Sequence, residues 1–224
     1  MRFDLHIHSN HSSDSSLTVD DILRQAVKKG LDGIAICDHN TVEGSLLGIR
    51  RARELNLPLL VLPGMEVSAD EGHLLVLGVR ENIPPHRPYT EIIRTVRQKG
   101  GVAIAAHPFK GEGIGYRAKD ADAVETFNSR CIFGENEKAK ELAQEFGKPE
   151  VGGSDSHMLA AIGLAYAEID AEANEGSVLS AIREGRTSSS GQIAPIYIVF
   201  IQAVRGLFRR ARRLGKELYS RIFH

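Results

Sequence analysis

The chain has 224 residues, 28 lysines and arginines against 29 aspartates and glutamates, and a formal net charge of −1 at pH 7. Its 42% hydrophobic and 25% charged residues describe a globular protein and exclude a low-hydrophobicity disordered chain. Two cysteines, Cys37 and Cys131, are too few for a disulfide scaffold or a thiolate zinc cluster. The start, MRFDLHIHS, holds no apolar run of signal-peptide length, so a cytoplasmic location and reduced thiols are expected.

The first predicted strand, FDLHIHS, carries His6 and His8 two positions apart. Residues two apart on a strand share a face, so both imidazoles point one way while Ile7 turns to a core. The helix TVDDILRQAVKKG follows, with Thr18 as N-cap, Asp21 at the third helical position and Gly30 as the stop. Next come the strand GIAIC, the helix VEGSLLGIRRARELN, and the strands LPLLVLPG and HLLVLGV. The helix YTEIIRTVRQKGG precedes the strands GVAIAA and DAVETF. The helix ENEKAKELAQEFG, the strand PEVGG and the helix NEGSVLSAIREG complete the pattern.

Continuous apolar runs suit strands buried on both faces, and strand alternating with helix indicates the α/β class. Seven strands and five helices predict a closed or nearly closed β/α barrel, with an open doubly wound sheet as the alternative. Residues 1–190 are expected to form this domain and residues 191–224 a tail.

Polar residues recur just beyond the apolar runs. Asp38-His39 follows GIAIC, Glu66 follows LPLLVLPGM, His107 follows GVAIAA, and Asp155-Ser156-His157 follows PEVGGS. Active sites gather at the C-terminal ends of strands in such folds. With His73 at the head of HLLVLGV, six of the nine histidines occupy such places; His11, His86 and His224 do not. Mixed imidazole and carboxylate groups without thiolate suit zinc, manganese or iron.

The motifs DLHIHS…D, CDHNT, GMEVS…HLLVLG, AHPF and GSDSH, in that order, resemble the PHP (polymerase and histidinol phosphatase) family from about Met1 to Ile169. The resemblance implies a distorted seven-stranded (β/α)7 barrel with two to three divalent metal ions at its mouth. It implies a first site of His6, His8, Glu66 and Asp155, and a second that shares Glu66 and adds His73 and His107. A third would use Asp14, His39 and His157, with Asp14 preferred over His11. Glu66, Asp155 and His157 would stand at the reacting centre. A bridging glutamate would hold two cations roughly 3.5–4 Å apart, and water coordinated there loses its proton near neutral pH. The expected reaction is hydroxide attack on a phosphate ester.

Asp4, Asp38 and Ser156 are candidates to orient the ligands, with Asp4 expected on the face of His6. The loop PFKGEGIGYRAKDAD supplies Lys110 and Arg117, and FNSR supplies Arg130, as cations to grip a phosphate, with Asn128 a weaker candidate. Members of the resembled family act on histidinol phosphate, nucleotide phosphates and short oligonucleotides. The modest length favours a small phosphomonoester or nucleotide. A metal-dependent amide hydrolase and a non-catalytic binding module are the alternatives.

The tail differs from the body. From Val204 to His224 seven basic residues face a single acid, Glu217, for a charge of +6 that leaves −7 on the remainder. Phe200, Val204, Leu207, Ala211, Leu214 and Leu218 recur at spacings of three and four, which predicts an amphipathic basic helix. It is expected to pack on the body or a partner, to lie on an anionic membrane, or to contact nucleic acid.

Overall fold

In the computed structural model, which describes residues 1–198, Phe200, Ile201 and Val204, the chain opens with strand β1 (Arg2–Ile7). Helix α1 (Val19–Lys28) follows. The Thr18 side chain caps it by accepting from the Asp21 amide at 3.2 Å, and Val19, Ile22, Leu23 and Ala26 line its buried side. It carries the chain to β2 (Gly33–Ile36), parallel to β1, and helix α2 (Glu43–Glu54) to β3 (Leu60–Leu62), parallel to β2.

After Pro63 the chain departs from a simple barrel. Strands β4 (Gly64–Ala69) and β5 (Gly72–Leu77) form an antiparallel hairpin turned at Asp70-Glu71. Helix α3 (Tyr89–Gln98) leads to β6 (Val102–Ala105), which is antiparallel to β5. Strands β7 (Ala123–Asn128) and β8 (Glu150–Gly153), joined by helix α4 (Glu135–Glu145), continue in parallel. Strand β9 (Ala165–Ile169) runs antiparallel beside β1, and helix α5 (Glu175–Arg183) leads to β10 (Thr187–Gly191), which is antiparallel to β9 at the sheet edge.

The described residues therefore form two five-stranded mixed sheets, ordered β10-β9-β1-β2-β3 and β4-β5-β6-β7-β8. This corrects the expected seven-stranded barrel. A turn of two residues cannot make the crossover that a parallel connection needs, so β4 and β5 must run antiparallel. The sheets are not joined into one closed ladder. They meet at two seams, where Ile7 bridges Ser156 and His39 bridges Glu66.

Between the sheets lies a core built from both, including Phe3, Leu5, Ala35, Leu62, Leu75, Ile104 and Val151, floored by Val178 and Ile182 of α5. Outside, α1 packs over Ile7, Ile34 and Ile36, and α3 and α4 pack over Val76, Ala103 and Val124. The register of β1 on β2 shifts between Asp4 and Ile7, which marks a bulge. Phe3 and Leu5 face the inner core, yet Ile7 faces the outer one. One extra residue thus inverts the alternation and turns His6 and His8 inward above Leu5.

No described helix is long and apolar enough to cross a membrane. Apart from Val204, the stretch from Val204 onward that reads as a basic helix lies outside the described residues.

Candidate metal centre

The two seams bring their polar residues to the same end of the molecule. His6 and His8 come from the inverted end of β1, and Asp155 and His157 from the loop after β8. His39 follows β2, Glu66 lies on β4, His73 on β5 and His107 just past β6. All are buried except His39, which is half-buried.

Glu66 is the hub. Its Oε1 lies 2.9 Å from His73 Nδ1 and 3.2 Å from His107 Nε2. Its Oε2 lies 3.1 Å from His39 Nδ1, 3.4 Å from His8 Nε2 and 3.6 Å from His6 Nε2. Each carboxylate oxygen therefore serves a different set of imidazoles. Asp14 Oδ2 sits 2.8 Å from His157 Nε2 and 3.2 Å from His39 Nε2. Asp155 Oδ1 lies 3.7 Å from His8 Nε2 and 4.0 Å from His6 Nε2.

Four overlapping groups can each converge on an ion: His8-Asp14-His39-His157, His6-Glu66-His107, His6-His8-Asp155 and His39-Glu66-His73. The nine expected ligands are thus brought together, though partitioned differently. His6 groups with His107 as well as with His8, and His39 with His73 as well as with Asp14. His11 stands apart, exposed, with Nδ1 3.1 Å from Ser9 Oγ.

The charges fit divalent cations. Burial opposes ionisation of Glu66, but the positive charge of His39, His6 and His73 holds its carboxyl well below the usual range. Burial likewise opposes Asp155, and the Arg130 and Lys110 cations hold it low. Burial disfavours the His39 imidazolium, yet Glu66 and Asp14 outweigh it and raise its pKa to about 9. His8 is pushed well below the ordinary value by burial and by His157 and His39. His6 Nε2 and His8 Nε2 face each other at 3.1 Å, and the buried Asp14 Oδ1 has no hydrogen-bond partner. Lone pairs aimed at one another and at no donor are the signature of a ligand set. His107 and Asp155 also hold left-handed backbones, φ 27° and 50°, of the kind that concentrates at functional sites.

Glu125 has no place among the expected residues. Buried on β7, it lies 3.0 Å from His6 Nδ1 through Oε1, and its Oε2 accepts from the His107 amide at 2.8 Å and from Asn128 Nδ2 at 3.0 Å. It fixes the His6 tautomer so that the Nε2 lone pair faces the cluster. Its signal in the sequence is a lone acid inside the apolar run DAVETF. In Glu125→Gln the new amide can donate to His6 Nδ1 and force the proton onto Nε2. Cation affinity is then expected to fall roughly ten- to hundredfold, by calorimetric titration of metal-stripped protein. Unchanged affinity would refute this role.

Asp4, expected beside His6, lies elsewhere because of the bulge. It accepts from Ser154 N and Oγ at 2.9 and 2.6 Å and from Gly163 N at 2.9 Å, tying β1 to the end of β8. Burial raises its pKa to about 6 against those hydrogen bonds. Asp38 accepts from Ser9 N and Oγ at 2.7 and 2.6 Å. The Ser156 hydroxyl donates to Met158 O at 2.8 Å and not to a ligand. Ser12 Oγ lies 3.2 Å from His8 Nδ1 and accepts from the His39 amide at 2.9 Å, so it helps to orient both.

Of the expected phosphate grips, Arg130 and Lys110 reach the cluster. Arg130 Nη1 lies 2.8 Å from Asp155 Oδ1 and 3.3 Å from His157 Nδ1, and Lys110 Nζ lies 3.2 Å from Asp155 Oδ2. Arg117 does not. It is exposed, and its charge acts on Tyr89, which donates to Asp120 at 2.6 Å.

Known proteins agree with this architecture. Residues 4–102 match the PHP domain family, and residues 133–187 the PHP-associated family. An uncharacterised protein of Methanocaldococcus jannaschii is 34% identical over 58% of this chain and 82% of its own length. Phosphoribosyl 1,2-cyclic phosphate 1,2-diphosphodiesterase of Eggerthella lenta is 40% identical, over 36% of this chain and 32% of that enzyme. A two-domain Bacteroides vulgatus protein containing a predicted PHP-like metal-dependent phosphoesterase has the same fold. Its TM-score is 0.71 at 18% identity, over 86% of this chain and 65% of that one.

Proposed function

The chain belongs to the PHP domain family, and from that premise we propose that it is a divalent-metal-dependent hydrolase of a small phosphate ester, a nucleotide phosphate or similar phosphomonoester. The observation that carries this reading is Glu66, whose Oε1 addresses His73 and His107 while Oε2 addresses His6, His8 and His39. A carboxylate so placed can serve two cations at once.

His6, His8, Asp14, His39, Glu66, His73, His107, Asp155 and His157 would hold two to three ions of zinc, manganese or iron. Such ions supply Lewis acidity and activate water at neutral pH. The chain's own contribution is to bind and orient. Arg130 offers a planar fork and Lys110 a point charge, and both are held at the cluster by Asp155. A phosphate arriving there can take over these donors and be gripped from the Asp155 and His157 side. Burial of the ligands lowers the local dielectric and strengthens each of these attractions. Glu66, Asp155 and His157 are the residues proposed to stand against the reacting atoms.

The similarity to a diphosphodiesterase places cyclic phosphodiesters in the panel that tests this reading. Purified protein is expected to contain divalent metal by mass spectrometry and to turn over at least one small phosphate ester. Chelation is expected to abolish turnover, and added manganese or zinc to restore it. Chelator-resistant hydrolysis, or hydrolysis of cyclic amides with none of phosphate esters, would sink the proposal.

A further inference from the structure

Beyond β10 the chain leaves the sheet and presents an apolar face to water. Ala194 and Ile198 are buried against Ala161, with Met158 and Leu164 packed beside them, and the Ala194 amide donates to Ser129 O at 2.7 Å. These contacts anchor one side of a helical stretch that begins at Ile196. On its other side Ile196, Tyr197 and Phe200 are 77%, 60% and 68% exposed. Ile196, Phe200 and Val204 are four residues apart and so form one stripe.

The same spacing continues in the sequence through Leu207, Ala211, Leu214 and Leu218. Arg205, Arg209, Arg210, Arg212, Arg213, Lys216 and Arg221 fill the positions between, against the one acid Glu217. We propose that Ile196, Tyr197 and Phe200 begin a docking surface for an anionic lipid bilayer, to which these cations supply the attraction. The proposal does not rest on the hydrolase reading.

An anionic bilayer satisfies both halves of the pattern. Aliphatic and aromatic side chains enter the boundary of the acyl region, Tyr197 suits the headgroup level, and arginines meet the phosphates. A nucleic acid would engage the cations but leave Ile196 and Phe200 in water. A second copy of the chain would set two segments of +6 side by side. The anchored side adjoins the metal centre in sequence: Ser129 precedes Arg130, and Met158 follows His157. Docking would hold that end of the protein near the membrane surface.

The test is sedimentation of the full-length protein with vesicles of phosphatidylcholine alone or equimolar phosphatidylcholine and phosphatidylglycerol. Binding is expected to the anionic vesicles only, and to weaken as salt screens the charges. The triple variant Ile196→Ser, Tyr197→Ser, Phe200→Ser is expected to bind about tenfold more weakly or worse. A quadruple variant with glutamine at Arg209, Arg210, Arg212 and Arg213 should lose on the order of a hundredfold. Because none of these residues is among the candidate ligands, both variants should keep the wild-type melting temperature and hydrolytic rate. Equal binding to both vesicles, or undiminished binding by either variant, would overturn the proposal. So would a protein that binds duplex DNA or dimerises without binding vesicles.

Discussion

Glu66→Ala is expected to lower phosphate-ester turnover by on the order of a thousandfold or more, and to deplete bound metal, while His11→Ala changes either by less than about twofold. The reason lies in the contacts of one side chain. Both Glu66 oxygens are surrounded by five imidazole nitrogens within 3.6 Å. Removing the carboxylate takes a ligand from every group that shares it and leaves the histidines without their central negative charge. Several kcal/mol of transition-state stabilisation depend on cations held in place, and each 1.36 kcal/mol is about tenfold in rate. His11 is exposed, with its ring against Ser9 Oγ at the edge of the site. Glu66→Gln separates charge from packing: it keeps the volume, and is expected to lose metal nearly as completely. Comparable losses from Glu66→Ala and His11→Ala, in turnover and in metal content, would refute this arrangement.

Most of the candidate ligands stand beside a local signal, an apolar run that ends in His, Asp or Glu or, for His73, begins with it, whereas Asp14 in HSSDSS follows only from the family resemblance. What surrounds them was less so. Alternation along FDLHIHS places Asp4 with His6, and only the bulge, a pairing between β1 and β2, separates them. The lone acid in DAVETF marks Glu125 as a buried carboxylate, but no local pattern names its partner His6, which lies 119 residues away in the chain. Arg117 and Arg130 both follow strands and read alike, yet one lies among the ligands and the other faces water.

The fold divides in the same way. The α/β class and all five helices follow from periodicity and caps, and Thr18 caps α1 as its spacing requires. The β4–β5 hairpin was hidden because LPLLVLPG and GMEVSA adjoin, and Gly64 begins a new strand where one long strand reads naturally. Strand β10, TSSSG, has no apolar residue at all. It is an outer strand held by pairing to β9 and by the hydroxyl contact of Ser189 with Thr126 at 2.7 Å.

Gly153→Ala is expected to destabilise the protein by about 3 kcal/mol, a drop in melting temperature of roughly 6–12 °C, and to displace His6 from the metal centre. A Cβ on Gly153 would stand 2.4 Å from His6 Cβ, 2.9 Å from the His6 amide nitrogen and 2.8 Å from Glu125 Oε1. Two of those atoms are rooted in the β1 backbone, so no rotamer change relieves the overlap. Gly152 is as confined, since a Cβ there would meet Tyr166 O at 2.5 Å. Gly152 lets β8 approach β9, and Gly153 lets it close the seam against β1 that carries His6, His8, Asp155 and His157. Fold and ligand geometry are therefore coupled at one position. The control is Gly176→Ala in α5, where the nearest atom to a new Cβ is Asn174 Oδ1 at 3.6 Å. That substitution should leave melting temperature and metal affinity unchanged or slightly improved. If Gly153→Ala melts with the wild type and holds metal as tightly, the close approach of β8 to His6 is not what fixes the site.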